Sequence, residues 1–182
     1  MKTPTTERTL MLLRHAKTEQ VQGKTDHDRD LTSRGRRDAR AVGEWLRDAM
    51  QAGVTPCGVI DLVLCSTSER TRQTLDVVCA GGASVKDTRF DQRIYDAGAT
   101  GLLDVLREVP DSANTVLMIG HGPGIPVLAT ELARSGTGST DTNDRLSRGF
   151  PTSGLAILGF EGRWAALARE TAYLRDFVVS RG

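Results

Sequence analysis

The 182-residue sequence has few aromatic residues and few cysteines. Phe, Trp and Tyr together make up 4% of the chain, so the core must be built chiefly from Leu, Val and Ala. The three cysteines, Cys57, Cys65 and Cys79, form no Cys-x-x-Cys pair and no zinc-ligand spacing. The sequence therefore predicts neither a disulfide framework nor a zinc site, and we expect a reduced, cytoplasmic protein.

Charge of one sign and long apolar runs are also lacking. The formal net charge is +1, so no overall field favours nucleic acid. The basic stretch Arg34 to Arg37 has no aromatic neighbours for base stacking and is interpreted as the solvated first turn of a helix. The first apolar run stops at Arg14, too soon for a signal peptide or a membrane span. We therefore expect no nucleic-acid partner and no membrane partner.

Apolar runs that read as buried strands alternate with segments of helical periodicity. Strands are predicted over 9–14, 59–65 and 115–119, and helices over 32–51, 66–80, 100–108 and 124–134. This alternation predicts one α/β domain spanning 1–182, a three-layer sandwich with a mostly parallel central sheet flanked by helices.

The remaining segments carry weaker signals. A short strand is predicted over 84–90, and two final strands over 155–160 and 164–174, paired as a hairpin through Glu161-Gly162. The stretch 135–149 is rich in Gly, Ser, Thr and Asp, and its composition predicts a flexible surface loop.

Polar side chains follow three of the predicted buried strands. Arg14 and His15 end the first strand, Ser66 and Arg70 follow the second, and His121 follows the third. In a parallel sheet, ligands bind outside the carboxyl ends of the strands, so we expect these residues to meet at one edge.

Such a cluster has the chemistry required for phosphoryl transfer. Arginines bind phosphate oxygens in bidentate fashion, and an imidazole nitrogen can attack phosphorus to form a phosphohistidine. Donors aimed at the equatorial oxygens lower the barrier. The sequence contains no evident carboxylate cage for a metal and no Walker lysine loop, so neither metal nor cofactor is predicted.

The chain resembles the histidine phosphatase (phosphoglycerate mutase-like) superfamily, and within it the SixA-like phosphohistidine phosphatase branch. The motifs that carry the resemblance are Leu12-Leu13-Arg14-His15-Ala16, the run from Cys65 to Thr74, Gly120-His121-Gly122-Pro123-Gly124, the run from Asp26 to Gly35, and Phe150-Pro151-Thr152-Ser153-Gly154.

The resemblance implies a role for each residue of the cluster. His15 is the nucleophile, Arg14 and Arg70 hold the phosphoryl oxygens, and His121 donates a further hydrogen bond and stabilises developing charge. A general acid is implied near Tyr95-Asp96-Ala97, which makes Asp96 the candidate. Other candidates, in the loop expected over the site, are Asp26, His27 and Asp28.

A phosphohistidine substrate relaxes the need for any acid, because an imidazole leaving group is readily protonated. The sequence departs from many relatives at Gly122, where they carry Asn, and this places one polar contact in doubt.

Three functions remain open at this point. The first is a metal-independent phosphatase acting on a phosphohistidine protein through a covalent intermediate on His15. The second is a small-molecule phosphomonoesterase or mutase of the same superfamily, acting on a phosphorylated metabolite. The third is a non-catalytic module that binds phosphoproteins. A nicotinamide site is disfavoured, because Ile125 stands where the third Gly of G-x-G-x-x-G would be.

Overall fold

The computed structural model describes residues 7–53 and 58–182. It contains six strands: β1 (Glu7–Arg14), β2 (Ile60–Cys65), β3 (Val85–Phe90), β4 (Thr115–Gly120), β5 (Gly154–Glu161) and β6 (Tyr173–Val179). The five α-helices are α1 (Ser33–Gln51), α2 (Glu69–Ala80), α3 (Ala99–Arg107), α4 (Gly124–Leu132) and α5 (Thr140–Ser147). Cys57 lies outside the described residues.

The strands form one sheet in the order β3-β2-β4-β1-β5-β6. The first four are mutually parallel, β5 is antiparallel to β1, and β6 is antiparallel to β5. The carboxyl ends of β1, β2 and β4 therefore lie at one edge of the sheet. The predicted α/β architecture is confirmed.

Side chains alternate between two apolar layers. Leu10 and Leu12 of β1 face one layer, where α3 and α4 pack, whereas Met11 and Leu13 face the layer covered by α1 and α2. Because both faces are covered, the central strands read as continuous apolar runs in the sequence. Within the described residues, no helix is both long enough and apolar enough to cross a bilayer.

The carboxyl-terminal part of the chain departs from the predictions. The predicted loop over 135–149 was wrong in part, because α5 begins after the N-cap Ser139, whose side chain accepts a hydrogen bond from the Thr142 backbone N–H. The predicted strand over 164–174 was also wrong: a 3-10 turn at Trp164–Ala166 precedes β6, which begins at Tyr173. The strands β5 and β6 do pair, through residues 162–172 rather than through a tight turn at Glu161-Gly162.

Candidate active site

Three strand ends converge, as the sequence predicts. Arg14 is opposite Gly120 in the β1–β4 ladder, and the His15 backbone N–H donates to the Gly120 carbonyl at 3.0 Å. The Ser66 backbone N–H donates to the Ile119 carbonyl at 3.0 Å. These ladder bonds bring together residues that lie far apart in the sequence.

A cavity of about 500 Å³ opens at this edge. Four cationic or imidazole side chains contribute to its wall, together with two carboxylates, one phenol and one glycine. The lining residues are His15, Asp26, Arg29, Arg70, Tyr95, Asp96, His121 and Gly122.

The ring of His15 is held in one orientation. Its Nδ1 lies 2.8 Å from the Ala16 carbonyl oxygen, which can only accept, so Nδ1 carries the proton. The proton-free nitrogen is therefore Nε2. Burial, with smaller contributions from the charges of Arg70 and Arg14, lowers the pKa of His15 to about 4. At neutral pH the imidazole is uncharged and has a free lone pair on Nε2.

His121 lies beside His15, with 5.2 Å between the ring centroids. Arg70 donates from Nε to His121 Nδ1 at 3.3 Å, so the proton of His121 is on Nε2, 2.8 Å from Ser66 Oγ. Burial and the neighbouring His15 and Arg70 lower the pKa of His121 to about 3. Both imidazoles are neutral at neutral pH, because a positive ring would lie buried beside cations.

Arg14, at the end of β1, is not among the residues that line the cavity, but it packs against Gly122, which is. A Cβ on Gly122 would lie 3.0 Å from Arg14 Cζ. Arg14 Nη1 donates to the Phe150 carbonyl at 2.8 Å, which fixes one side of the guanidinium. Its Nε is buried and has no hydrogen-bond partner within the described part of the chain.

Asp26 connects the 18–31 loop to the site. Its carboxylate accepts from Arg70 Nη2 at 2.9 Å, from Arg29 Nη1 at 3.0 Å and from the Tyr95 hydroxyl at 2.9 Å. Its backbone carbonyl accepts from Arg70 Nη1. Burial alone would raise the pKa of Asp26, but the bonds from Tyr95, Arg29 and Arg70 hold it at about 2. Asp26 is therefore ionised at neutral pH and has no proton to donate.

Arg70 keeps donors available despite these contacts. A guanidinium has five N–H donors, and three are engaged by His121 and by the two oxygens of Asp26. The rest can bind phosphoryl oxygens. Arg70 is therefore held in one orientation by His121 and Asp26 while keeping donors for an anion.

The other acid candidates occupy different positions. Asp96 lines the cavity, is exposed, and has a left-handed backbone with φ of 55°. Asp28 accepts from Thr25 at 2.7 Å and lies outside the lining set. His27 is within 3.2 Å of Thr67 Oγ1 and packs edge-on against Tyr95. Two of the candidate acids, Asp26 and Asp96, line the cavity. Of these two, Asp26 is hydrogen-bonded to arginines and Asp96 is not, within the described residues.

Sequence reasoning missed Arg29 and Tyr95 as parts of this wall. Arg29 lies in a polar loop, where an arginine usually signals only solvent exposure. The sequence singles out Tyr95 only as the neighbour of the candidate acid Asp96. The run Asp26 to Asp30 alternates acidic and basic residues, and that pattern was the available signal for an ion-paired loop.

No group of three or more His, Cys, Asp or Glu side chains is placed to hold a metal ion in residues 7–53 and 58–182. The polar donors of the cavity are instead guanidinium and imidazole nitrogens, which suit an anion. The described fold and site are those of an α/β protein whose cavity combines guanidinium donors with two neutral imidazoles.

Comparison with known proteins identifies the family. A model of the histidine phosphatase superfamily (branch 1) matches residues 10–96. The uncharacterized protein Rv1276c of Mycobacterium tuberculosis (strain ATCC 25618 / H37Rv) is 37% identical over 169 residues, covering 93% of this chain and 100% of the relative.

Comparison with solved structures leads to the same family. A protein of Nakamurella multipartitia assigned as a phosphohistidine phosphatase SixA is 36% identical, with a TM-score of 0.80 over 98% of this chain and 99% of that one. Its counterpart from Agrobacterium tumefaciens is 26% identical, with a TM-score of 0.68 over 97% and 99%. The chain belongs to the histidine phosphatase superfamily, in its SixA-like branch, and has the phosphatase function of that superfamily.

Proposed function

We propose that this protein is a metal-independent phosphohistidine phosphatase acting through a covalent intermediate on His15. The observation that carries the proposal is the 2.8 Å contact between His15 Nδ1 and the Ala16 carbonyl. It leaves Nε2 as the unprotonated nitrogen of a ring that lines a cavity containing Arg70 and His121. A nucleophile needs this free lone pair, and the lowered pKa of His15 keeps it available at neutral pH.

In the first step, His15 Nε2 attacks phosphorus and the N–P bond of the substrate breaks. The leaving imidazole keeps the bonding electron pair and takes up a proton. In the second step, water attacks the phosphorus of phospho-His15, its proton passes to solvent, and inorganic phosphate leaves with His15 restored. Arg14 and Arg70 bind the equatorial oxygens throughout, where charge is spread in the transition state.

His121 has two states in this scheme. In the structure it accepts a hydrogen bond from Arg70 and is neutral. A phosphoryl dianion places negative charge beside it, which favours protonation of Nδ1 and turns that nitrogen into a donor. The shift supplies the extra hydrogen bond to the phosphoryl group when it is needed.

Asp96 is the proposed general acid where one is required. An imidazole leaving group has an unperturbed pKa of about 6.5, so solvent can protonate it near neutral pH. An alkoxide is a far poorer leaving group and needs a proton from a positioned acid. The place of Asp96 in the cavity wall supports a second candidate function, hydrolysis of a small phosphomonoester.

A substrate panel run in EDTA tests the proposal. We expect turnover of phosphoimidazole and of a phosphohistidine peptide, slower turnover of phenyl phosphate, no isomerisation of 3-phosphoglycerate, and no turnover by His15→Ala. Normal turnover by His15→Ala would end the proposal. Preference for the phosphomonoester would favour the second candidate, and phosphopeptide binding without turnover would favour a non-catalytic module.

A further inference from the structure

Four arginines lie on segments that adjoin Arg14 and His15, and we call them the arginine face. Arg34 and Arg37 lie in the first turns of α1, Arg148 follows α5, and Arg181 lies in the carboxyl-terminal tail. None of them lines the catalytic cavity described above. They are therefore separate from Arg14 and Arg70, the arginines proposed to bind the phosphoryl oxygens.

Little negative charge offsets this face. Arg34 and Arg181 share the single carboxylate of Asp38, at 3.6 and 3.2 Å, and Asp38 is only 1% exposed. Arg37 and Arg148 have no hydrogen-bond or ion-pair partner for their side chains within the described residues. The arginine face therefore keeps positive charge that no ion pair within the described residues neutralises.

The chain connects the arginine face directly to His15. Arg181 Nη1 donates to the Thr152 carbonyl at 3.0 Å, and the next residue, Ser153, donates its backbone N–H to the carbonyls of Arg14 and His15. On α1, a Cβ on Gly35 would lie 2.1 Å from the Lys17 carbonyl, so the first turn of this helix touches the chain two residues after His15.

A second cavity, of about 510 Å³, adjoins the arginine face. Its apolar surface comes from a phenylalanine, a proline and a valine, and its cations from two arginines. Its lining residues are Arg145, Arg148, Gly149, Phe150, Pro151 and Val179. Arg145 pairs with two carboxylates, those of Asp141 and Asp176, and so adds no net positive charge to this cavity. Phe150, which lines this second cavity, also accepts a hydrogen bond from Arg14 Nη1 at its carbonyl.

The 18–31 loop beside the catalytic cavity carries the reverse charge. It holds four carboxylates, those of Glu19, Asp26, Asp28 and Asp30, against the two cations Lys24 and Arg29. A charged polypeptide approaching the site therefore meets negative charge at this loop and positive charge at the arginine face. That difference favours one direction of the segment that can bind.

We infer that the arginine face is the docking surface for the segment of a phosphoprotein that flanks its phosphohistidine. Acidic side chains of that segment pair with the arginines, and an apolar side chain occupies the second cavity. The inference rests on the proposed function and names its substrate class: a protein with acidic residues beside the phosphohistidine, rather than a free metabolite.

The test compares two phosphohistidine peptides, one with Glu and one with Lys at the flanking positions, and uses phosphoimidazole as the small substrate. We expect kcat/KM to be about tenfold higher for the Glu peptide at low salt, and the difference to shrink as ionic strength rises. The double variant Arg34→Glu/Arg148→Glu should abolish or invert the preference, with phosphoimidazole turnover unchanged.

Arg163→Glu is the matched control, because Arg163 is 76% exposed on its side chain and lies beyond β5 at the other end of the sheet. It should leave the peptide preference intact. Equal kcat/KM for the two peptides, or an equal loss with phosphoimidazole in the double variant, would overturn the docking inference. If no phosphohistidine compound is hydrolysed at all, the proposed function itself has failed.

Discussion

Gly122 controls how the chain after β4 approaches Arg14. A Cβ there would lie 3.0 Å from Arg14 Cζ and 3.1 Å from Nε, closer than ordinary contacts allow. Any larger residue must therefore displace the guanidinium or move its own backbone. A larger side chain at this position would need a different placement of Arg14, so the glycine has a steric consequence for the guanidinium.

We expect Gly122→Ala to lower kcat/KM for phosphoimidazole by about tenfold, because a small displacement of one bidentate donor costs about 1.4 kcal/mol of transition-state binding. The measurement is steady-state kinetics, together with urea unfolding to verify the fold. An unchanged kcat/KM would show that Arg14 does not bind the phosphoryl group in the position described.

Asp96→Asn separates the two candidate functions. The amide cannot donate a carboxyl proton, so turnover of phenyl phosphate or of an alkyl phosphate should fall by about 10²-fold or more. Turnover of phosphoimidazole should change less than threefold, because its leaving group needs no strong acid. A large and equal loss on both substrates would place Asp96 in binding or folding rather than in proton transfer.

The candidate site residues could be chosen from the sequence because each lies at or shortly after the end of a buried strand. The parallel sheet places His15 and His121 beside each other, and α2, which follows β2, adds Arg70 to the same cavity. The hydrogen bonds that Asp26 accepts from Arg29, Arg70 and Tyr95 could not be predicted in the same way. It depends on how the 18–31 loop folds back onto α2, and no local periodicity encodes such a contact.

Among the elements, the two helices on one face of the sheet make a backbone contact that depends on glycine. A Cβ on Gly43 of α1 would lie 2.1 Å from the Val78 carbonyl of α2, and one on Gly81 would lie 2.5 Å from the Arg40 carbonyl. The helices can approach this closely only because neither position has a side chain.

Gly43→Ala should destabilise the protein by about 2 kcal/mol, despite the better helix propensity of Ala, because α1 and α2 must separate. The measure is the free energy of unfolding in urea. The matched control is Gly101→Ala in α3, where the new Cβ would meet only Ala97 Cβ at 3.8 Å. This control should be neutral or stabilising by up to about 1 kcal/mol. Equal effects at both positions would contradict the close packing of α1 on α2.

The helix α5 shows why the carboxyl-terminal elements escaped prediction. Its sequence is rich in Ser, Thr, Asp and Asn, which compete with helix formation when isolated. Here Ser139 caps it and Arg145 pairs with both Asp141 and Asp176. One of these ion-pair partners, Asp176, belongs to β6 and lies 31 residues further along the chain. A prediction from the local sequence alone cannot include a partner that lies so far along the chain.

At the scale of the whole molecule, the two buried imidazoles make stability depend on pH. The pKa of His15 is about 4 in the folded protein, against about 6.5 when unfolded. Between these values the unfolded chain binds more protons, so the free energy of unfolding decreases as pH falls. His121, with a pKa of about 3, acts in the same direction.

From pH 7 to pH 5, His15 should contribute a loss of about 2 kcal/mol to the stability. Urea unfolding of the wild type and of His15→Asn at both pH values isolates this contribution, since other titrating groups are common to both proteins. The variant should lose about 2 kcal/mol less than the wild type. Equal losses would mean that His15 is not buried in its neutral form.

The central claim is that the phosphoryl group passes through His15 itself. Labelled phosphoimidazole, mixed with enzyme and quenched in alkali within the first turnover, should leave label on the peptide that contains His15. This adduct should be stable in base and lost in acid, and His15→Ala should trap none and turn over no substrate. Label on another residue, or normal turnover by His15→Ala, would contradict the account.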